Sequence, residues 1–587
     1  MTTVEVILRT PRGGPWRTFR DPAEIVSAGR AEEVAAALDR VERAVRDEGC
    51  YAAGFVSFEA AASFGLPAHP APPSALPFAW FGLFPPDRVG TLAHLPVASD
   101  YQVGGWNPSI DRAEYSSALR RIKARIEAGD TYQINFTFRL NAPFDGDPIA
   151  LLRDLDVAQG GAWGGFVDTG RHAICSASPE LFFAFDRDRV VCRPMKGTAR
   201  RGLWPEADRL EADRLQASEK NRAENVMVVD MVRNDLGRIA RAGSVEASSL
   251  FDVERYPMLW QMTSTVKART STPALPRLFE ALFPSGSVTG APKHSSMAII
   301  RELETRPRGV YTGAIGYWSP NGRGHFNVAI RTVCVDRDRG DAEFGVGSGI
   351  VWDSVDRDEF DECVLKATIV GHPPARSYAV GRRPDTCLLE SIGWTPDGGF
   401  ALLDRHLARL GASAECFGFE VDAPAIRTMI DDAVADLHGP AKIRVMLARN
   451  GSIVCEAVDM PPLPAGPLKV ALAAEPIDRE DVLLYHKTTC RRINDEARAS
   501  RPDAAAVVLW NPLGEVTEAT DANIVVEIDG RRVTPPVECG LLGGTMRAAL
   551  LEAGEIVEER VTVADLHGAP RFWLINSVRG WMPAALI

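Results

Sequence analysis

The chain has 587 residues, 45% of them hydrophobic and 25% charged, and its 66 Lys and Arg against 78 Asp and Glu give a formal net charge of −12. These values exclude a disordered, collagen-like or fibrous protein, and the length suffices for about three to four domains. The negative charge argues against broad binding to nucleic acid or anionic lipid. An anionic ligand would therefore need a few placed cations, a helix N-terminus or a metal ion.

Cysteine usage and hydropathy bear on location. Ten cysteines are scattered along the chain, without a C-x-x-C pair or a Cys/His cluster at zinc-ligand spacing, which predicts buried thiols in a reducing compartment. The N-terminus lacks the pattern of a signal peptide. The charge-free stretch 60–86 contains seven prolines and predicts an irregular segment instead of a membrane helix. We expect a cytoplasmic protein with no membrane or nucleic-acid partner.

Apolar periodicity predicts two modules that mix helices and strands, of class α/β and α+β. In the first, the predicted helices are 30–49, 113–129, 205–242 and 355–369, and the predicted strands are 132–140, 171–178, 180–185, 311–318, 326–335 and 342–351. A Pro-, Gly- and Arg-rich run at 371–386 then predicts a linker. In the second module, 387–587, the predicted helices are 403–418 and 543–554, and the predicted strands are 442–449, 468–475, 505–510 and 523–530.

Short motifs in the first module place reactive side chains on turns and at helix faces. They are Lys196 in PMKGT, Glu180 in ASPE, Glu224 at the front of an apolar helical run, and Glu359 with Glu362 in DRDEFDECVLKA. The last two are three residues apart and so share one helix face. Taken singly, each of these side chains also fits a solvated surface position.

Taken in order with FPSGSVTGAPK (283–293), GAIGYWS (313–319), IRT (330–332) and GVGSGI (345–350), these motifs resemble the chorismate-utilising family. That family includes anthranilate synthase and aminodeoxychorismate synthase component I. The resemblance covers 110–368 densely, and 1–109 only loosely as a variable N-terminal part. It implies a large α/β sandwich, with a site for chorismate between its two sheets.

The resemblance also implies residue roles that suit a dicarboxylate substrate and Mg²⁺, which prefers oxygen ligands. Glu224 and Glu362 match the magnesium ligands, with Glu359 as an acidic neighbour. The positions that match substrate-binding motifs are Gly197, Thr198, Thr289, Tyr317, Arg331, Gly347 and Gly349. Arginine offers a planar donor fork for a carboxylate, and glycine lets backbone N–H groups approach the ligand.

Lys196 separates the branches of this family. Anthranilate synthases typically carry Ala at this position, whereas in the aminodeoxychorismate branch a lysine adds at C2 and ammonia then attacks C4. The resemblance makes Glu180 the general acid for the departing C4 hydroxyl. Many relatives have a histidine where this chain has Gln261, which leaves the role of a titrating group there open.

The sequence contains no glutaminase signature, since Cys363 and Cys490 lie in other motifs and no G-x-C-x-G-type nucleophile turn is present. Ammonia must then come from solution or from another protein. We expect a separate glutamine amidotransferase subunit as partner.

The second module resembles the class IV (fold type IV) pyridoxal-phosphate enzymes over essentially all of 386–587. The motifs that carry the resemblance are LDRHLARL (403–410), HKTT (486–489), GEVTEATDANIVV (514–526), LLGGTMR (541–547) and INSVRG (575–580). The family includes branched-chain and D-amino-acid aminotransferases and aminodeoxychorismate lyase. HKTT and NSVRGWMPA are most similar to the lyase.

This second resemblance implies pyridoxal 5'-phosphate as cofactor. Lys487 would hold the cofactor and then exchange a proton at the substrate carbon, and Glu518 would pair with the pyridine nitrogen. The expected phosphate-binding residues are Arg409, Gly544 and Thr545, at the start of a predicted helix. Asn523 is either an anchor or purely structural, and Arg579 could bind a substrate carboxylate.

Together the modules predict conversion of chorismate to 4-aminobenzoate plus pyruvate, for folate synthesis. Two alternatives remain open at this point. The second module could be an aminotransferase that serves another pathway, or one module could be an inactive scaffold. A homodimer through the C-terminal module is a further expectation.

Overall fold

The structure is a computed structural model, and it describes residues 4–11, 14–72, 76–160, 162–271, 274–370, 378, 386–460 and 462–587. The chain divides into two compact units. The first comprises the described residues of 1–200 and 212–372, and the second those of 201–211 and 373–587. Most of the predicted linker 371–386 lies outside the described residues, so the linker stays a prediction.

The first unit mixes twenty-one strands with eight helices in its described part. The strands are β1 Glu5–Arg9, β2 Trp16–Arg20, β3 Glu24–Ala28, β4 Tyr51–Val56, β5 Ala79–Phe84, β6 Val89–Leu92, β7 Tyr101–Val103, β8 Asn107–Pro108, β9 Gln133–Gly146, β10 Gly165–Asp168, β11 His172–Ser176, β12 Leu181–Asp186, β13 Arg189–Arg193, β14 Met195–Arg200, β15 Glu246–Arg255, β16 Leu259–Arg269, β17 Gly290–Ala291, β18 Ala314–Ser319, β19 Arg323–Val328, β20 Thr332–Asp336 and β21 Asp341–Ile350. The helices are α1 Val34–Arg46, α2 Arg112–Glu127, α3 Pro148–Gln159, α4 Pro205–Ala217, α5 Glu219–Gly237, α6 Leu275–Leu282, α7 Lys293–Leu303 and α8 Asp356–Ala367; α4 begins in the second unit and ends in the first.

Two large sheets organise this unit. One runs β17-β9-β21-β20-β11-β10-β1-β2-β6, with β7 and β8 also paired to β9, and the other runs β14-β16-β13-β12-β19-β18-β4-β5-β3, with β15 on β16. Side chains of both sheets share one buried cluster, in which Val6 and Phe19 of the first sheet meet Phe55 and Trp80 of the second. The sheets therefore pack face to face, and the predicted sandwich is confirmed.

Local sequence explains where the helices begin and which face they bury. The side chain of Asp111 accepts the backbone N–H of Glu114, and this capping box starts α2. In α1, Val34, Leu38 and Val41 are buried at spacings of four and three residues, as expected for a helix with one apolar face.

Some predicted elements differ in the structure. The helix predicted at 205–242 is two helices, because Ser218 leaves the helical conformation and its side chain caps α5. The strand predicted at 326–335 is split between β19 and β20, in different sheets, with Arg331 at a positive φ of 53° between them. Within 60–86, expected to be irregular, Ala79–Phe84 forms a fully buried strand.

The second unit contains a small and a larger sheet in its described part. Its strands are β22 Leu388–Thr395, β23 Gly399–Phe400, β24 Ala441–Leu447, β25 Ile453–Asp459, β26 Leu468–Leu472, β27 Ala506–Trp510, β28 Val516–Ala519, β29 Asn523–Ile528, β30 Arg531–Thr534, β31 Val557–Glu558, β32 Phe572–Asn576 and β33 Gly580–Leu586. Its helices are α9 Leu403–Phe417, α10 Ala423–Asp432, α11 Arg492–Ser500, α12 Thr545–Glu552 and α13 Val563–Gly568. The sheet orders are β23-β22-β24-β25 and β28-β27-β26-β33-β32-β29-β30-β31.

The segment 201–211 is packed into this second unit by buried contacts. Arg201 forms an ion pair with Asp208 of the same segment at 2.6 Å, with side chains only 1% and 4% exposed, and it also donates to the carbonyl oxygen of Cys416 on α9 at 3.1 Å. The ring of Trp204 stacks on Tyr485 with centroids 5.4 Å apart, next to His486 in sequence. These contacts place the segment beside the peptide that carries Lys487.

None of the helices in the described ranges combines the length and apolar character that crossing a membrane requires.

Candidate active sites

The first unit contains a cavity of about 170 Å³ between its two sheets. β14 and the start of β12 form one side, and β21, α5 and α8 contribute most of the rest. The residues that line it include Glu180, Lys196, Gly197, Thr198, Glu224, Gln261, Ser287, Tyr311, Arg331, Gly347, Gly349, Glu359, Glu362 and Lys366. Most of the residues that the sequence predicts for the chorismate site thus meet in one place.

Lys196 lies on β14 just before Gly197, whose positive φ of 95° turns the strand. The ammonium fills the space beside Gly349, where a Cβ would overlap it. Burial lowers the pKa of Lys196 below its usual value, although the nearby Glu224 carboxylate raises it. A lowered pKa increases the fraction of neutral amine, which is the nucleophilic form.

Glu180 lies directly before β12, with only 2% of its surface exposed. The Oγ of Ser287 donates a hydrogen bond to Glu180 Oε1 at 2.5 Å. Burial raises the pKa of Glu180 to about 8, while Ser287 and Lys196 act to lower it. This carboxyl therefore retains its proton at neutral pH and can act as an acid.

Three carboxylates face the same cavity from two helices. Burial raises the pKa of Glu224 on α5, and the negative charges of Glu359 and Glu362 on α8 raise it further. Burial also acts to raise the pKa of Glu362, but Lys366, which pairs with it at 2.6 Å, brings it below its usual value. Glu359 is buried and accepts a hydrogen bond from Ser354 Oγ at 2.7 Å.

Within the described ranges, no group of three or more His, Cys, Asp or Glu side chains is arranged to hold a metal ion. Mg²⁺ nevertheless needs few protein carboxylates when a ligand and water supply the remaining oxygens. Glu224 and Glu362 are close enough to repel each other, and a cation would relieve that repulsion. The two carboxylates therefore fit the predicted magnesium site.

Arg331 lies in the break between β19 and β20, and its buried guanidinium lines the cavity. Burial lowers the pKa of Arg331 to about 10, while Tyr311 and Glu362 raise it. Arg331 remains a cation at neutral pH, and a substrate carboxylate would supply a partner for it. Gly347 lies on β21 opposite Thr137, where a Cβ would collide with the Phe136 carbonyl oxygen.

The structure assigns Gln261 a place that the sequence left open. Its Nε2 donates to the carbonyl oxygen of Gly197 at 2.7 Å, and its Oε1 accepts from Thr198 Oγ1 at 3.3 Å. The amide therefore holds the turn that follows Lys196.

Two predicted substrate residues are not brought to the cavity. Tyr317 lies on β18 against Phe19 and His325, with the Arg17 guanidinium 5.0 Å from its ring centre. The hydroxyl of Thr289 donates within its own turn, to Ser285 O at 3.0 Å.

Tyr311, which sequence reasoning missed, does line the cavity. The motif GVYTGAIGYW contains two tyrosines six residues apart, and the family resemblance predicts the substrate-binding role for the second, Tyr317. Tyr317 lies within a regular strand that is buried throughout, whereas Tyr311 precedes that strand. The loop position of Tyr311 is the signal that could have identified it.

A buried ion pair supports the cavity from behind. Arg308 bonds both carboxylate oxygens of Glu304, at 2.9 and 2.6 Å, and the two side chains are 1% and 3% exposed. The same guanidinium donates to the carbonyl oxygens of Val288 at 2.7 Å and Asn135 at 2.8 Å. Both of these residues line the cavity, so Arg308 fixes part of its wall.

The second unit contains a larger cavity of about 720 Å³. The predicted residues that line it are Arg409, Lys487, Glu518, Asn523, Gly544, Thr545 and Arg579. Burial and the Arg409 charge lower the pKa of Lys487 to about 8, against the opposite effect of Glu390. Burial raises the pKa of Glu518 to about 8.

Asn523 connects Glu518 to the turn at 543–545, here called the GGT turn. Its Nδ2 donates to Glu518 Oε2 at 3.2 Å and to Leu542 O at 2.9 Å. A Cβ on Gly544 would overlap Asn523 Oδ1, so this position requires glycine. Gly544 is the N-cap of α12, whose free N–H groups suit a phosphate.

Sequence reasoning missed Glu390, a buried carboxylate on β22 in the apolar run LLESIG. It binds Arg409 through two hydrogen bonds, at 2.9 and 2.6 Å, and His406 Nδ1 at 2.6 Å. Burial acts to raise the pKa of Glu390, but Arg409 and His406 bring it down to about 2. Arg409 also donates to Gly543 O at 3.2 Å, which fixes it beside the GGT turn.

Comparison with known proteins matches each of the two modules to a family. Residues 91–371 match the family model of chorismate binding enzymes, and residues 387–587 match that of class IV aminotransferases. The chain joins a chorismate binding enzyme module to a class IV aminotransferase module. Both families consist of enzymes.

Individual relatives resemble the chain over part of their length. It is 39% identical over 285 residues to aminodeoxychorismate synthase component 1 of Salmonella typhimurium, which is 48% of this chain and 62% of that protein. It is 42% identical over 259 residues to aminodeoxychorismate synthase of Streptomyces griseus, 44% of this chain and 36% of that protein. The chain thus spans less than two thirds of these curated relatives.

The chorismate binding enzyme fold is also found by structural comparison. A putative 2,3-dihydroxybenzoate-specific isochorismate synthase from Bacillus anthracis matches with a TM-score of 0.52 at 21% identity. The match covers 63% of this chain and 95% of that chain, and it shows a shared fold.

Proposed function

We propose that the chain converts chorismate and ammonia to 4-amino-4-deoxychorismate, and this product to 4-aminobenzoate and pyruvate. The observation that carries the first step is the pair of Lys196, with a lowered pKa, and Glu180, with a pKa raised to about 8, in one cavity. A nucleophilic amine and a protonated acid are the two groups that displacement of a hydroxyl requires.

In the first step, neutral Lys196 attacks C2 of chorismate while Glu180 protonates the C4 hydroxyl, which leaves as water. Ammonia then adds at C4 and the bond between C2 and Lys196 breaks, which regenerates the lysine. Gln261 keeps the Lys196 turn in place throughout.

Charged and backbone groups of the same cavity orient the substrate. Arg331 binds a carboxylate, and Gly347 and Gly349 let it approach the backbone. Glu224 and Glu362 would hold Mg²⁺, which would neutralise substrate oxygens there, with Glu359 as an acidic neighbour.

In the second step, Lys487 is the residue that would hold pyridoxal 5'-phosphate and move the proton. When bound, this cofactor withdraws electrons from the substrate carbon that carries the amino group. Lys487 takes the proton from C4 and the bond between C3 and the enolpyruvyl oxygen breaks, so that the ring becomes aromatic. The released enolpyruvate takes up a proton and becomes pyruvate. Glu518 would pair with the pyridine nitrogen, and Gly544 and Thr545, beside Arg409, would hold the phosphate.

A separate glutamine amidotransferase subunit would supply the ammonia. The similarity to a protein named as component 1 supports this part of the proposal. Association can be measured by mixing the chain with such a subunit and following glutamine-dependent product. A cytoplasmic location and a homodimer stay predictions.

The family match of the second module also allows an aminotransferase. The two activities differ in what they need, because an aminotransferase requires a keto-acid acceptor and the lyase does not. Release of pyruvate without any added keto acid would support the lyase.

Product identity tests the whole proposal. The full chain is incubated with chorismate, Mg²⁺, ammonium salt and pyridoxal phosphate, and the products are analysed by mass spectrometry. We expect 4-aminobenzoate and pyruvate from the wild type, and no aminodeoxychorismate from Lys196→Ala. Lys487→Ala should accumulate aminodeoxychorismate and lose the visible absorbance of the bound cofactor. Anthranilate as product would contradict the assignment of Lys196.

A further inference from the structure

The cationic side chains that line the second cavity differ in whether a carboxylate pairs with them. Arg409 is neutralised by Glu390, and Arg491 and Arg498 both pair with Asp521. Lys442 and Arg444 also line the cavity. No carboxylate of the described residues lies within ion-pair distance of either.

Strand geometry explains why Lys442 and Arg444 face the cavity. On β24, Ala441, Ile443 and Val445 are buried in the core of the unit. Successive side chains of a strand alternate between its faces, so Lys442 and Arg444 share the opposite face. Both therefore present their charges on one side of the small sheet.

Arg444 lies close to Lys487. The N–H of Leu389 on β22 donates to the Lys487 carbonyl oxygen at 2.9 Å. In the antiparallel register, Ser391 is opposite Arg444, which makes Leu389 and Arg444 diagonal neighbours, about 7–8 Å apart. A substrate the size of one ring can span from Lys487 to this strand.

The Arg444 side chain also lacks an acceptor. Its Nε is buried and makes no hydrogen bond with any residue that the structure describes. Burying a cationic nitrogen without an acceptor is unfavourable, and a ligand carboxylate would remove that cost. Two carboxylates of β25 lie near these cations: Glu456 is directly opposite Arg444 in the antiparallel register, and Asp459 lines the cavity. Both are exposed, and among the described residues neither forms an ion pair with Lys442 or Arg444.

We propose that Lys442 and Arg444 form an anion subsite that binds a carboxylate of the substrate in the second cavity. The inference rests on the proposed function, because 4-amino-4-deoxychorismate carries two carboxylates, one on the ring and one on the enolpyruvyl group. Arg579, on the turn between β32 and β33, is a separate cation that can serve the other carboxylate. A substrate with one charge would leave one of these groups unmatched.

The test measures binding of product fragments to the cofactor-loaded full chain by calorimetry. 4-Aminobenzoate carries the ring carboxylate, pyruvate carries the other, and aniline carries none. We expect Arg444→Met to weaken the binding of one of the two acids at least tenfold. Lys442→Met should weaken binding of the same acid several-fold, and neither substitution should change the binding of aniline. Arg444→Lys should restore part of the affinity.

Arg427→Met is the matched control, since Arg427 lies exposed on α10 and pairs with Asp431 at 3.3 Å. Circular dichroism and cofactor absorbance show whether each variant is folded and loaded. Unchanged affinity of Arg444→Met for both acids would overturn the subsite. A chain that loses carboxylate affinity on substitution, yet makes no 4-aminobenzoate, would retain the subsite and contradict the proposed lyase.

Discussion

The ammonium of Lys196 occupies the space that the missing side chain of Gly349 leaves free. The two residues belong to different sheets, Lys196 to β14 and Gly349 to β21. The glycine thus has a second role besides exposing its backbone to a ligand, because it decides where the lysine can lie.

Gly349→Ala should therefore impair the first step through Lys196. A misplacement of about 1 Å in a reacting group costs about 100-fold in rate, and we expect a loss of this size in aminodeoxychorismate formation. The measurement is kcat with saturating ammonia. Gly237→Ala, at the end of α5 where a Cβ meets nothing within 4 Å, is the control. Equal rates in both variants would contradict the steric relationship.

The pH dependence of the first step should report Glu180. With a pKa of about 8, the carboxyl is protonated below that pH and loses its acid function as the pH rises through it. Ser287 lowers this pKa by donating to the carboxylate, so Ser287→Ala should move the alkaline limb to higher pH. Rates are compared at constant concentration of NH₃. An unshifted limb would exclude Glu180 as the group observed.

Removal of the Glu180 carboxyl gives a complementary result. Glu180→Gln keeps the size of the side chain but cannot donate a proton as an acid. We expect a loss of about 10²- to 10⁴-fold in kcat, the range for general acid catalysis. A variant that retains wild-type kcat would show that another group protonates the hydroxyl.

Gln261 should act through the turn that it holds. Gln261→Ala removes two hydrogen bonds, each contributing about 1 kcal/mol, so we expect a loss of about tenfold or more in the first step. Gln261→Glu loses only the hydrogen bond donated to Gly197, so its rate should lie between those of the wild type and Gln261→Ala. If instead Gln261→Glu is the more damaging change, the added negative charge beside Lys196 is the main effect.

The buried pair of Arg308 and Glu304 should contribute strongly to stability. Arg308→Met leaves the Glu304 charge buried and unpaired, which costs about 3–5 kcal/mol. Hydrogen exchange of β9 and β21 measures the free energy of unfolding of the first unit. Arg125→Met is the control, because the Arg125–Glu302 pair is 46% and 44% exposed, and a solvent-exposed pair contributes little to stability.

Sequence patterns identified those residues whose motif fixes their local geometry. Lys196 precedes a glycine turn, Glu224 lies at the front of an apolar helical run, and Glu362 shares a helix face with Glu359, so short motifs indicated the local element of each. The choice between Tyr311 and Tyr317 depended on which of them lies beside β21. Tyr311, before β18, does so, because a Cβ on Gly345 of β21 would overlap its ring, and this contact joins segments that are distant in sequence. No local pattern carries that information.

The same limit explains the predicted strand 326–335. Its β-branched composition is continuous, and the reversal at Arg331 comes from the need of each half to pair in a different sheet. Glu390, on β22, was missed for a related reason, since its partners Arg409 and His406 lie on the helix α9. Tertiary pairing, which short-range periodicity does not record, decides both cases.

The segment 201–211 has a consequence for how the two enzymes can be separated. Gene fission at 371–386 would leave the C-terminal product without Arg201, Asp208 and Trp204, and so without a buried ion pair and a ring stack beside the Lys487 peptide. Such a fragment would expose Tyr485 to solvent. A second module that is inherited on its own therefore requires new residues to cover that surface, so a single break in the gene does not readily separate the two modules.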